Sequence, residues 1–128
     1  MRFRIYNKKE KKYISENIGQ YYINHKGKLF FIYAGDGEHN ELHKELAPDI
    51  YIVEYSTGKK DKRDTEIYAG DIVCDPDGYH YQVEWDSEDA MFCLNEISGC
   101  DSVDFKCARS EDFEVIITIH DGGENERN

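Results

Sequence analysis

The chain has 128 residues, 39% of them hydrophobic and 13% aromatic, with a formal net charge of −11. That length supports one core, or a core with a small companion, without staples. No apolar run approaches the roughly 18 residues of a membrane span, and the opening Met1-Arg2-Phe3-Arg4-Ile5-Tyr6 lacks the apolar stretch of a signal peptide, so no membrane contact and a cytoplasmic location are expected.

Phe3 and Ile5 alternate with Arg2 and Arg4, which predicts an opening strand. Asn7 to Lys12 is a polar turn, and Tyr13-Ile14 begins a return strand. Residues 21–23 and 29–33 flank Asn24-His25-Lys26-Gly27-Lys28 as a second hairpin. Residues 29–33 are apolar on both faces, which predicts a central strand. Ala34 to Asn40 reads as a loop. Glu41 to Ala47 reads as a short helix, because Leu42 and Leu46 stand four apart, Asn40 offers a cap and Pro48 ends the run. Residues 50–55 return to a strand.

The polar stretch 56–64 marks a boundary between an N-terminal β-meander (1–58) and a C-terminal part (59–128), the two forming one compact unit. Beyond it, Gly70-Asp71-Ile72-Val73-Cys74, the turn Asp75-Pro76-Asp77-Gly78 and the alternating run Tyr79 to Asp86 spell strand, tight turn, strand. Residues 90–94, 103–105 and 111–119 supply further strands. In the last of these, Phe113, Val115, Ile117 and Ile119 are expected on one face. Asp121-Gly122-Gly123 stops that strand, and 124–128 is expected to fray. The C-terminal part is thus expected to be a five-stranded SH3-like β-barrel. Its core should draw on Ile67, Ile72, Tyr81, Val83, Phe92, Leu94, Val115, Ile117 and Ile119. The fold class is β-dominated, all-β to α+β, with one short helix.

Charge is unevenly spread. Residues 1–70 hold 13 Lys/Arg against 11 Asp/Glu, and residues 71–128 hold 3 against 16. The acidic half repels phosphate, so nucleic acid is an unlikely partner. Two basic clusters, Lys8, Lys9, Lys11 and Lys12, then Lys59, Lys60, Lys62 and Arg63, read as solvated turn tips or as contacts to the acidic half of a neighbouring copy. An alternative use of the acids is mimicry of DNA phosphates, through Glu84, Asp86, Glu88, Asp89, Asp101, Asp104, Glu111, Asp112 and Glu114, to occupy a host nucleic-acid enzyme.

Side chains able to carry chemistry do not assemble into a known motif. Cys74, Cys93, Cys100 and Cys107 lack the two-residue spacing of a zinc knuckle and read as reduced thiols. His80 stands among Asp75, Asp77, Glu84 and Asp86, and reads as a solvated histidine. Asp75 and Asp77 begin a calcium-like loop, but Gly78 comes too early for its sixth position. No catalytic residue, metal site or cofactor is therefore expected. Tyr79, Tyr81 and Trp85 share one strand face with Val83; they read either as core or as a groove for a partner peptide.

Three segments together resemble the YopX family of phage and prophage proteins. Phe3-Arg4-Ile5-Tyr6-Asn7-Lys8 is similar to the family's opening Phe-Arg-x-Trp-Asp-Lys, with Tyr6 in place of Trp. Residues Ser56 to Lys62 and Glu66 to Val73 resemble its Thr-Gly-x-Lys-Asp-x-x-Gly-x-x-Ile-Tyr-x-Gly-Asp-Ile-Val block. Arg63-Asp64-Thr65 replaces the usual Asn-Gly turn, which predicts a looser or longer hairpin. Glu111 to Ile116 supplies the third anchor. The resemblance implies a small protein of bacterial mobile elements and brings no catalytic residues with it. A non-enzymatic interaction or assembly module is expected, with a protein partner or self-association.

Overall fold

The structure, a computed structural model, describes residues 2–34, 41–97, 102–105 and 109–121. The chain divides into two compact units, one of Arg4–Val53 and one of Met1–Phe3 with Glu54–Asn128. The division at Val53/Glu54 falls inside a long strand, upstream of the polar stretch 56–64. Among the described residues, no helix is long and apolar enough to cross a membrane.

In the Arg4–Val53 unit, β1 (Phe3–Asn7) and β2 (Lys12–Tyr13) form an antiparallel hairpin, with Tyr6 opposite Tyr13. The two rings meet edge to face at 5.1 Å, and the Arg4 guanidinium lies 4.5 Å over Tyr13. The second sheet has the order β3 (Tyr21–Ile23), β4 (Leu29–Ala34), β5 (Glu41–Glu45). The doubly apolar β4 is its centre, as its composition predicts. The Asn24 carboxamide oxygen accepts from Lys26 and Lys28 N–H and closes the turn, where Gly27 takes φ 80°.

The helix expected over 41–47 is a strand. Residues 41–45 pair in register with Ala34 back to Phe30, and Leu46 N–H continues the ladder to the Leu29 carbonyl at 2.9 Å. A seven-residue helix would gain few internal hydrogen bonds and is marginal in water. The open edge of β4 offers the residues from Glu41 to Leu46 a strand to pair with. Most of the expected loop 34–40 lies outside the described residues.

The larger unit contains β6 (Tyr51–Lys60) from Glu54 onward, β7 (Glu66–Tyr68), β8 (Asp71–Cys74), β9 (His80–Asp86), β10 (Met91–Glu96), β11 (Ser102–Asp104) and β12 (Glu114–Thr118). The last five form one antiparallel sheet, order β11-β10-β9-β8-β12, curled into a half-barrel. Consecutive strands run as a meander, and β12 returns to the outer side of β8.

Its core gathers Ile67, Val73, Val83, Leu94, Phe105 and Phe113, with Tyr81, Phe92 and Val115 packed against them. Ile72 is also buried. Ile119 departs from the expected core: it is 42% exposed. The cause is a register shift in β12. Val115 faces Val73 while Ile117 faces Ile72, so an irregularity between them breaks the strict alternation that the sequence suggests. The chain then turns into a 3-10 segment, Ile119–Asp121.

The β6–β7 hairpin is longer than a two-residue turn, with residues 61–65 joining its strands, and it is firmly held. Asp64, at the place of the family's glycine, adopts φ 67°, a left-handed conformation that Asp tolerates better than most residues. Buried Asp61 closes the turn: its Oδ1 accepts from Arg63 N–H (2.8 Å) and Thr65 N–H (2.9 Å), and its Oδ2 accepts from Val115 N–H of β12 (2.8 Å).

Candidate functional site

The alternating run in β9 places its aromatics in three different settings. Tyr79 precedes the strand and is 54% exposed. Tyr81 packs on the core, edge to face with Phe113 at 5.9 Å, and its hydroxyl donates to Asp75 Oδ2 at 3.2 Å. Trp85 stands 50% exposed and directly opposite Phe92 of β10, with ring centroids 5.0 Å apart. Of the three, Trp85 lines a groove.

That groove holds about 250 Å³ and is mainly apolar. Trp85, Met91, Phe92 and Phe105 form its greasy wall, and Thr57 and Lys59 of β6 complete it. The Lys59 ammonium lies 5.4 Å from the centre of the buried Phe105 ring. Phe105 is fixed in turn by its N–H, which donates to the Phe92 carbonyl at 3.2 Å. The turn that leads from β9 into β10 is closed by Asp86 Oδ1, which accepts from Glu88 and Asp89 N–H. Met91, Phe92 and Lys59 are members of this wall that the sequence reading missed. The signal was available for Phe92, since a short turn after Asp86 puts it across from Trp85.

The burial and bonding of Tyr81 have a measurable consequence. Burial first, then the hydrogen bond to Asp75 and the charge of that carboxylate, raise its phenol above the ordinary tyrosine value. A folded value above the unfolded one means that the native state holds its proton longer. This stability is fully present below about pH 10, the unfolded tyrosine value, and is lost as pH rises through the folded value. We expect a difference titration of phenolate absorbance, wild type minus Tyr81→Phe, to place Tyr81 above the exposed tyrosines. A midpoint at the ordinary value would contradict the burial account.

Two further carboxylates, Asp75 and Asp71, bond to backbone. Asp75 Oδ1 accepts from Asp77 and Tyr79 N–H, so the carboxylate of the calcium-like loop is committed to its own turn. Asp71 is fully buried, and its Oδ2 accepts from Tyr68 N–H at 2.8 Å. His80 is exposed at the start of β9. Cys74 and Cys93 are free thiols, both half-buried; Cys100 and Cys107 lie outside the described residues.

A pair that the sequence did not suggest joins His120 Nε2 to Glu54 Oε2 at 2.9 Å, with side chains 13% and 6% exposed. It is sealed beside Gly70 and ties β6 to the segment after β12. Of the acids considered for DNA mimicry, Glu114 is paired with Lys62 and Arg63, and Glu111 and Asp112 with Arg109. Glu111 is held below its usual range by its own backbone N–H, then by Arg109. Asp101 and the side chain of Asp104 lie outside what is described.

No curated protein matches the chain. A family model described as YopX protein matches residues 2–124, nearly the full length, and on that match the chain belongs to the YopX family.

Proposed function

We propose that the protein is a non-enzymatic interaction module, encoded by a phage or prophage, that docks a protein partner at the Trp85 groove. The frame is SH3-like: the meander β8 to β11, with β12 returning to β8 after the 3-10 turn Ser110–Asp112, supports that description. The observation that carries the functional reading is a half-exposed tryptophan at the mouth of an apolar groove on a hydrogen-bonded sheet. Tryptophan leads the residues that anchor protein interfaces. The groove's 250 Å³ falls under the roughly 300–1,000 Å³ of small-molecule sites and suits one or two side chains of a partner. Asp61, Asp71 and Asp75 spend their carboxylates on backbone N–H groups, which supports a structural rather than catalytic use of the acids.

Affinity capture from bacterial lysate with quantitative mass spectrometry tests this. We expect a set of proteins retained by the wild type and by Tyr79→Ala, whose residue lies outside the groove. Trp85→Ala should lose them, with affinity about 30-fold lower or worse if Trp85 is an anchor worth ~2 kcal/mol. A folded Trp85→Ala protein that keeps the same set would refute the docking role.

A further inference from the structure

The two basic clusters differ in what they have left to offer. In the second, Lys60 pairs with Asp64 at 3.5 Å, and Lys62 and Arg63 both reach Glu114, at 3.3 and 3.0 Å. Lys59 lies over Phe105. That cluster is spent inside its own unit. In the first, on the β1–β2 turn, Lys12 meets Glu10 at 3.6 Å, while Lys8, Lys9 and Lys11 make no ion pair among the described residues. Their turn is nonetheless well held. Asn7 Oδ1 accepts from Lys9 and Glu10 N–H, at 3.0 and 3.1 Å, and Lys8 N–H donates to the Ile50 carbonyl at 2.8 Å. A cationic tip on a fixed turn loses little entropy on binding.

The turn beside the Trp85 groove has the opposite charge. The groove's mouth adjoins this β9–β10 turn, which carries Asp86, Glu88 and Asp89 within four residues, against Lys59 as the single cation of the lining. Apolar walls, an indole face and an adjoining acidic turn are together the chemistry that recognises a lysine. Its methylene stem packs on greasy surface while its ammonium stays among acids, and a cation over tryptophan gains further.

On the reading of the Trp85 groove as a docking face, we propose that its occupant is the lysine tip of a second copy of this chain. A Lys8, Lys9 or Lys11 stem lies on Trp85 and Phe92, with its ammonium toward Glu88 and Asp89. Tip and groove are different surfaces, so the contact is heterologous; it closes into a ring or continues as a chain of copies. Its charges sit at a rim, so they govern encounter and salt sensitivity more than lifetime.

The test uses the full chain, and its one tryptophan as reporter. Mass by sedimentation and Trp85 emission are followed over a concentration series at about 20 mM and about 500 mM salt, the latter shortening the screening length to a few ångströms. We expect the average mass to rise with concentration at low salt, the emission to shift in step, and both effects to weaken at least ~10-fold at high salt. Lys8→Glu with Lys9→Glu and Lys11→Glu should leave a monomer, as should Glu88→Lys with Asp89→Lys. Mixing those two variants should restore association, because the reversed tip of one fits the reversed rim of the other. These positions are exposed, so the reversals leave the fold intact.

A wild type that stays monomeric at every concentration, or a mixture that stays monomeric, overturns the second-copy assignment. If a Lys-Lys-Leu-Lys-Lys peptide then still shifts Trp85 emission, the groove remains a docking face for another basic partner. If the peptide has no effect and Trp85→Ala retains the lysate proteins, both readings fail.

Discussion

Replacing Asp61 with alanine should lower the unfolding free energy by about 3–4 kcal/mol, a large share of the 5–15 kcal/mol typical of a small domain. The carboxylate accepts three backbone N–H bonds, from Arg63, Thr65 and Val115. Arg63 and Thr65 sit at an exposed turn where water can replace the lost acceptor. Val115 is half-buried in β12, and its N–H would be left facing a void, so most of the loss belongs there. Asp61→Asn separates the contributions. A retained carboxamide oxygen still serves the turn, while its NH₂ meets the Val115 N–H donor to donor, and about half the loss should remain. Urea unfolding should rank wild type, Asp61→Asn and Asp61→Ala in that order of midpoint, with Asp61→Ala melting ~10 °C lower. A change for Asp61→Ala within ~1 kcal/mol, the value of an ordinary surface bond, would show that Asp61 is not the clasp between the hairpin and β12.

The same geometry explains why the block that resembles the YopX family carries so little about activity. Thr57 Oγ1 donates to the Ile67 carbonyl and accepts from Lys59 N–H. Ser56 Oγ accepts from Gly58 N–H, Asp61 clasps β12, and Asp71 holds Tyr68 N–H. These four polar residues satisfy backbone within their own unit, while Lys60, Lys62 and Glu66 pair with the side chains of Asp64, Glu114 and Arg2. The residues that most identify the family specify how the chain folds.

Side-chain pattern made β1 and β9 legible through period-2 alternation and β4 and β10 through apolar runs, as did turn chemistry at Asn24–Gly27 and Asp75–Gly78. It failed where one spacing fits two structures. Leu42 and Leu46 are four apart, which is one face of a helix and equally one face of a strand; only the free edge of β4, a tertiary fact, decides between them. It failed again in β12, because an irregularity after Val115 shifts the register without marking the sequence. The groove was half legible. Trp85 stood out as an aromatic, but the Met91 and Phe92 wall depends on pairing across the β9–β10 turn, and Lys59 comes from a distant strand. Glu54 and His120 are 66 positions apart and left no local trace.

That hidden pair makes Gly70, among the described glycines, the one least able to take a side chain. Gly70 has φ 93°, and a methyl group built on it would run into the Glu54 carboxylate, with the carboxyl carbon 2.7 Å away. A carboxylate at a free chain end would swing aside. Glu54 is buried and hydrogen-bonds His120 at 2.9 Å, so moving it breaks a sealed contact. Nor can the backbone of Gly70 retreat. Its N–H donates to the Val83 carbonyl at 2.8 Å, and its own carbonyl accepts from Ile119 N–H at 2.9 Å. Gly70→Ala therefore adds left-handed strain of ~1–2 kcal/mol to the disruption of a buried hydrogen bond, which costs ~1–3 kcal/mol when its partner is left unsatisfied. We expect a total loss of ~4 kcal/mol, enough to bring many small domains near unfolding. A double-mutant cycle isolates the steric cause. Glu54→Ala removes the obstructing carboxylate, so in its presence Gly70→Ala should cost only its backbone strain, ~1–2 kcal/mol. Costs that simply add in the double variant would mean that Gly70 and Glu54 do not contend for the same space, and the requirement for glycine would then lie in φ alone.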